Sequence, residues 1–301
     1  RRTVRHRRGS DAARIRYQRE RPLIDLGTVP VGHTLPNARL GIDEMDFLVD
    51  ELSIAELPVV LDVFPRFDDV LARDRALGRG RSALDTAGLL VGGEVHEDLQ
   101  HWMRVLEQPH WYVSARIFDT EAEQPTPTTR ICVASDDRTT VSAVRTDDET
   151  TIRLILGDPA RDLLASIGSA TSLELGNSNL GDVNAPTDLL AEALDAAPSD
   201  VGATASRLRR IGVADDRAAA LASALATCAG RTEITAVARR HGTRQVAGRP
   251  VALFDTRAGR IVATSALAAD GTSWSSLTGA TDSKVAAALT ELIGSARQQG
   301  R

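Results

Sequence analysis

The chain has 301 residues, 42% hydrophobic and 26% charged, ordinary for a globular protein and enough for one large core or two modest ones. Its net charge of −5 argues against a nucleic-acid-binding body, and no apolar run approaches the roughly 20 residues that span a bilayer. Arginine carries nearly all the positive charge, Lys284 being the only lysine, a usage typical of high-GC bacterial genomes and silent about mechanism.

The opening stretch, "RRTVRHRRGSDAARIRYQRERP", is basic and has no apolar core of a signal peptide, so residues 1–36 are read as a basic, disordered tail outside the fold. The expected compartment is the cytoplasm. After Pro36, "GIDEMDFLVDEL" is expected to form a helix capped by Asp43, with Met45, Phe47 and Leu48 on its apolar face. In "LPVVLDVF" the alternation of Val59, Leu61 and Val63 predicts a short strand closed by Pro65. "FDDVLARDRALGRGRSALDTAGLL" reads as a helix ended by Gly88. In "GEVHEDLQHWMRVLEQP", Val95, Leu99, Trp102, Met103 and Leu106 recur on one helical face until Pro109 stops it. Four strands follow, "HWYVSARIF", "TRICVAS", "TTVSAVR" and "TIRLIL". The last three are joined by hairpin-sized "DDR" and "TDDET", which predicts an antiparallel meander. Asp158 and Pro159 open the next helix, with Ala160, Leu163, Leu164 and Ile167 inward.

Residues 169–185, polar and rich in Gly and Asn, are read as a linker between a first half, 37–168, and a second half, 186–297, within one integrated domain. The second half begins with three helical runs, the last presenting Leu221, Leu225 and Cys228 on one face. Strands "RTEITAVARR", "RPVALFD", "RIVATSA" and "SWSSL" come next, then a helix with Val285, Ala288, Leu289, Leu292 and Ile293 on its stripe. Helix, four strands and helix thus occur twice, with turns about eleven residues apart in both halves, although the halves share almost no identity. The expected fold is α+β, with a central, mainly antiparallel sheet, quasi-twofold halves and a helical bundle in the second half. If the helices cover only one face, the other stays open and suits docking a protein better than enclosing a small molecule.

Signs of chemistry are weak. His96 and His101 in "HEDLQH" would point roughly 140° apart on a helix and so do not share a metal. The acid pairs Asp68/Asp69, Asp136/Asp137, Asp147/Asp148 and Asp215/Asp216 fall at turns and helix starts, where Asp is favoured locally. No Gly-rich loop ends in Lys-Ser/Thr, and no G-x-S-x-G occurs. Cys132 and Cys228 lie in apolar periodic segments and are read as buried thiols. Trp102 and Trp111 are read as core; Trp274 fits core or an exposed interface equally. No catalytic residue, metal or cofactor is expected.

The stretches "GIDEMDFLVDELSIAELPVVLDVFPRFDD", "LDTAGLL" and "EVHEDLQHWMRVLEQPHWYVSAR", with the ending "AGRIVATSALAADGTSWSSLTGATDSKVAAALTELI", resemble the EspG family of ESX (type VII) secretion-associated proteins of mycobacteria and other actinobacteria. The resemblance covers about residues 43–294. It implies a cytosolic chaperone that binds the helical tip of the PPE chain in a PE–PPE heterodimer and directs it to an ESX apparatus. It also implies which parts grip that tip: the sheet surface, the loop Phe118 to Thr129 and the helices Pro186 to Gly230. The client-binding residues it suggests are Arg116, Phe118, Glu121, Glu123, Gln124, Thr128, Ser142, Thr235, Val237 and Arg239. Two rival readings stand beside it: an enzyme with a small-molecule cleft between the halves, and a scaffold that homodimerises, weakly, through its sheets. No nucleic acid and no membrane insertion are expected.

Overall fold

Helices and long antiparallel strands alternate along the computed structural model, which describes residues 34–119, 127–171, 180–195, 200–240 and 242–300. The reading of the basic tail therefore falls outside the described residues as far as His33. Leu35 already belongs to the fold: its amide donates to Asp98 at 2.8 Å and its side chain packs on the core. A short strand with no periodic signal of its own, β1 (Ala38–Leu40), leads into α1 (Ile42–Glu51). Gly41 caps α1 without a side-chain bond, so Asp43 is not the cap. It sits instead in the first turn, where a carboxylate suits the helix dipole, and accepts hydrogen bonds from Arg66 (2.8 Å) and Arg79 (2.7 Å).

The expected strand in "LPVVLDVF" does not form. Pro58 and the left-handed Asp62 (φ 55°) bracket a single 3-10 turn, Val59–Leu61, that buries Leu61. Pro58 has no amide to give a ladder, and the carbonyls of Leu61 and Asp62 are taken by the Arg145 guanidinium. α2 (Val70–Thr86) is capped by Asp69, which accepts from the amides of Leu71 and Ala72, and ends at Gly88 (φ 69°) as expected. A small hairpin, β2 (Leu90–Val91) and β3 (Glu94–Val95), precedes α3 (Glu97–Glu107), which buries Leu99, Trp102, Met103 and Leu106.

The meander is as expected: β4 (Trp111–Asp119), β5 (Pro127–Ser135), β6 (Thr140–Thr146) and β7 (Glu149–Leu154). Asp137 (φ 73°) and Asp147 (φ 51°) take the left-handed turn positions that Asp tolerates, and Asp136 accepts from the amides of Arg138 and Thr139. α4 (Pro159–Ala170) is capped by Asp158. Part of the presumed linker is structured: Val183–Pro186 is strand β8. Four residues that follow a Gly- and Asn-rich stretch carry too little period to be read as a strand. The helices α5 (Thr187–Leu194), α6 (Val201–Arg210) and α7 (Asp215–Leu225) follow, then β9 (Cys228–Arg240), β10 (Thr243–Thr256), β11 (Gly259–Leu267), β12 (Ser273–Gly279) and α8 (Asp282–Gln299). Cys228 starts β9, its thiol donating to the Gly230 carbonyl, rather than extending the face of α7.

One ten-stranded sheet results, in the order β1-β7-β6-β5-β4-β9-β10-β11-β12-β8, with every neighbouring pair antiparallel. Read outward from the β4–β9 seam, the two sides repeat the same succession. Four meander strands end in a short edge strand that lies before the meander in sequence. Packing follows the same symmetry. On one face α4 and α8 cover the middle, with Val113, Ala115, Ile131, Ile234, Ala236 and Leu253 against Leu163, Ile167, Leu289 and Ile293. On the other, α1–α3 cover the β5–β7 side through Met45, Leu48, Met103, Cys132, Ala134 and Ile152. There α5–α7 cover the opposite side through Leu190, Leu208, Leu221, Ile261 and Leu277. Helices therefore occupy both faces, and the expectation of one wholly open face is corrected to a central opening.

Two tests follow from the α1–α2 contact. Gly80 lets α2 approach α1 so closely that a Cβ there would lie 2.2 Å from the Asp43 carbonyl oxygen. Gly80→Ala is expected to cost about 1–3 kcal/mol by urea unfolding, since backbone must move to admit the methyl. Burial opposes ionisation of Asp43, but hydrogen bonds from Arg79 and Arg66 outweigh it and hold the carboxyl below 3.8. Because the folded form binds its proton more weakly, the stabilisation is complete above the usual value and fades as pH falls below it. The stability gap between the chain and Asp43→Asn, measured by urea melts, should be full near neutral pH and shrink below about pH 3.8.

Candidate functional site

The β4–β9 seam runs in register from Trp111↔Ala238 to Asp119↔Gly230. Alternation along each strand splits its side chains. Val113, Ala115, Ile117, Ile234 and Ala236 enter the core beneath α4 and α8. Tyr112, Ser114, Arg116 and Phe118 of β4 and Arg231, Glu233, Thr235, Val237 and Arg239 of β9 point to the other face. There the α1–α3 cluster reaches the seam at Tyr112, with Val237 packed on its margin, and the α5–α7 cluster stops at β10. Tyr112, Ser114 and Phe118 are buried in this strip, Arg116 is exposed and the β9 residues are half-buried, so it forms the floor of a shallow trough. It is neutral at its centre, where the hydroxyls of Ser114 and Thr235 lie 2.8 Å apart. Towards one end it is apolar: Val237 faces Val246 across β9–β10, and Val246 is 68% exposed. Tyr112 lies buried at this end, and burial pushes the titration of its phenol up, so it stays neutral.

The opposite end is cationic. Arg116 pairs with Glu233 at 2.8 Å and Arg231 reaches the same carboxylate at 3.4 Å. Both guanidiniums stand over the Phe118 ring, 5.8 and 4.6 Å from its centroid. In register, Arg116 lies opposite Arg130, and Arg130 opposite Arg145. Arg130 is held by Asp62 at 3.2 Å.

Five residues suggested from the sequence, Arg116, Phe118, Thr235, Val237 and Arg239, are thus brought onto one strip. Thr128 is exposed beside it, its hydroxyl donating to the Ile117 carbonyl. Glu121, Glu123 and Gln124 lie outside the described residues. Ser142 does not join them: opposite Val133 in register, it faces α4 and is 0% exposed. Its hydroxyl, like that of Thr232, has no partner among the described residues. Sequence reading passed over Ser114, Arg231, Glu233 and Val246. The signal that could have found two of them was the period-two run of Arg231, Glu233, Thr235, Val237 and Arg239 in "RTEITAVARR", the mark of a strand with one face uncovered.

The seam is a continuous hydrogen-bonded ladder, so the cleft that an enzyme reading would place between the halves is absent there. A groove of about 540 Å³ does exist, but within the first half, between α1, α2 and the 53–67 loop. Among the described residues no three His, Cys, Asp or Glu side chains converge on a metal position, and no helix is long and apolar enough to cross a membrane.

A two-half sheet with helices banked around an uncovered seam is the architecture of a protein that presents a surface. The chain belongs to the EspG family, whose model matches residues 42–291. Among solved structures it is similar to the type VII secretion system chaperone EspG5 of Mycobacterium tuberculosis, solved in complex with the PE25–PPE41 dimer. That likeness has a TM-score of 0.72 at 20% identity and covers 86% of this chain and 96% of that one. No curated protein sequence matches the chain. At that identity the neighbour establishes the fold.

Because Ser142 lies buried without a partner, Ser142→Ala should raise stability by about 1 kcal/mol, read by thermal melting, instead of weakening any surface interaction.

Proposed function

We propose that this chain is a cytosolic secretion chaperone that holds a PE–PPE heterodimer by the helical tip of its PPE chain and delivers it to an ESX (type VII) system. The carrying observation is the strip at the β4–β9 seam, where buried and half-buried residues alternate along β9 and Arg116 of β4 stands exposed beside them. Membership of the EspG family and the PE25–PPE41 dimer bound by the similar EspG5 support the choice of client. The helical tip of an export cargo is apolar and self-associates in water; covering it removes apolar area at about 25 cal/mol per Å². A trough with an apolar end, a hydroxyl-lined centre and a charged end fits a partly polar interface of standard size, one that can release its cargo. Holding and release by such a surface need neither cofactor nor catalytic group.

Edge-to-edge homodimerisation is poorly served, because both sheet edges are short: β1 has three residues and β8 four. Co-expression with cognate PE–PPE pairs is expected to yield a stable complex containing one copy of each chain by size exclusion with light scattering. Val237→Asp, which places a charge on the half-buried apolar end of the floor, should abolish it, with a thermal melt showing that the free chain still folds. A free chain that elutes as a dimer and ignores every pair would reject the reading.

A further inference from the structure

The cationic end of the trough runs against the charge of the rest of the chain. Arg116, Arg130 and Arg145 stand directly opposite one another on β4, β5 and β6, and Arg231 stands beside them on β9. Like charges facing across strands destabilise a sheet. Among the described residues two carboxylates pair with these four cations, Glu233 with Arg116 and Arg231, and Asp62 with Arg130. Arg145 is satisfied by the carbonyls of Leu61, Asp62 and Asp147, which bring no negative charge. Among the described residues, the ion pairs of these four cations thus draw on only two carboxylates, in a chain whose net charge is −5.

The four arginines are not equivalent. Arg130 and Arg145 are tied to the 3-10 turn and its following residue, where they supply potential but little free hydrogen-bonding capacity. Arg116 and Arg231 have side chains 51% and 41% exposed and share a single carboxylate. Their planes rest on Phe118, which holds them in place without using their N–H groups. A guanidinium presents five donors in a fixed fork, so a pair sharing one carboxylate is set up to take a second.

We infer that Arg116 and Arg231 form a carboxylate-binding clamp, and that the partner of this trough carries Asp or Glu on the flank of its apolar tip, placed to meet the two guanidiniums over Phe118. The inference rests on the trough being the docking surface. The apolar end then supplies burial, and the clamp sets orientation and partner choice, because a client with a basic flank would meet uncompensated like charge.

The test is biolayer interferometry on the full chain, its Arg116→Gln/Arg231→Gln double variant and Val237→Asp. The probes are a panel of purified PE–PPE heterodimers, the PE25–PPE41 dimer among them. Each heterodimer is used as wild type and with the Asp and Glu residues of its PPE tip changed to Asn and Gln. Thermal melts confirm that the variants fold. The double variant should lose about tenfold in affinity for the wild-type heterodimers at low salt, about 0.05 M NaCl, and less at about 0.5 M, where screening already weakens the pairing. Against neutralised tips it should lose nothing further. Unchanged affinity of the double variant for every pair the chain binds, with Val237→Asp still abolishing binding, would overturn the clamp and leave the docking surface standing. Binding that survives Val237→Asp as well would show that the docking surface itself was misplaced.

Discussion

The antiparallel ladder between β4 and β9 is the contact on which the rest of the architecture depends. Each half alone would end in a long strand with an unpaired row of amides and carbonyls, an edge that invites aggregation. Pairing these two edges removes both liabilities at once and leaves only β1 and β8 at the margins, each too short to template much. The ladder also aligns the alternation of the two strands, so that Val113, Ala115, Ile234 and Ala236 enter one core together. Ser114, Arg116, Glu233 and Thr235 must then share the other face. Joining the halves and creating the strip are a single event.

Helix placement explains why the strip stays uncovered. α4 and α8 each follow the last meander strand of a half and return over the middle of the sheet, where they meet across the seam. The helices that precede each meander pack on the other face, but over the flanking strands of their own half. The first group reaches the seam only at Tyr112 and the margin of Val237, and the second stops at β10, because each is anchored by apolar residues farther out, such as Ile152 in one half and Leu277 in the other. The polar character of the strip is consistent with this. Ser114 and Thr235 satisfy one another, and Arg116, Glu233 and Arg231 are paired on the surface, so the exposed floor carries little unsatisfied cost without a partner.

Much of the fold was legible because its signals are periodic. The 3.6-residue spacing of Leu99, Trp102, Met103 and Leu106 and the Asp158–Pro159 start of α4 each have one reading, and both appear. Hairpin turns were legible because Asp137 and Asp147 stand where a left-handed residue is needed. What escaped was decided by tertiary neighbours. Val59, Leu61 and Val63 alternate like a strand but have no strand edge to join, while β1 and β8 are strands only because β7 and β12 offer them edges. The site was legible in the same measure. Alternation along β9 marks its face, but nothing local reveals that Ser142 lies on the far side of the sheet. Its face is set by the register of β6 on β5, where it meets Val133.

The arginine row shows how a cost to stability can identify a surface. Placing Arg116, Arg130 and Arg145 in register on adjacent strands spends favourable energy that a sheet evolved for stability alone would keep. Glu233 and Asp62 recover part of it, and the 3-10 turn recovers more by aiming the carbonyls of Leu61 and Asp62 at Arg145. That turn is the segment whose alternation suggested a strand; a strand there would have kept those carbonyls for its own ladder. The departure from sequence expectation and the cationic end of the trough therefore have one physical origin. The loop gives up sheet pairing, and in exchange the row of guanidiniums can stand together at the edge of an open face.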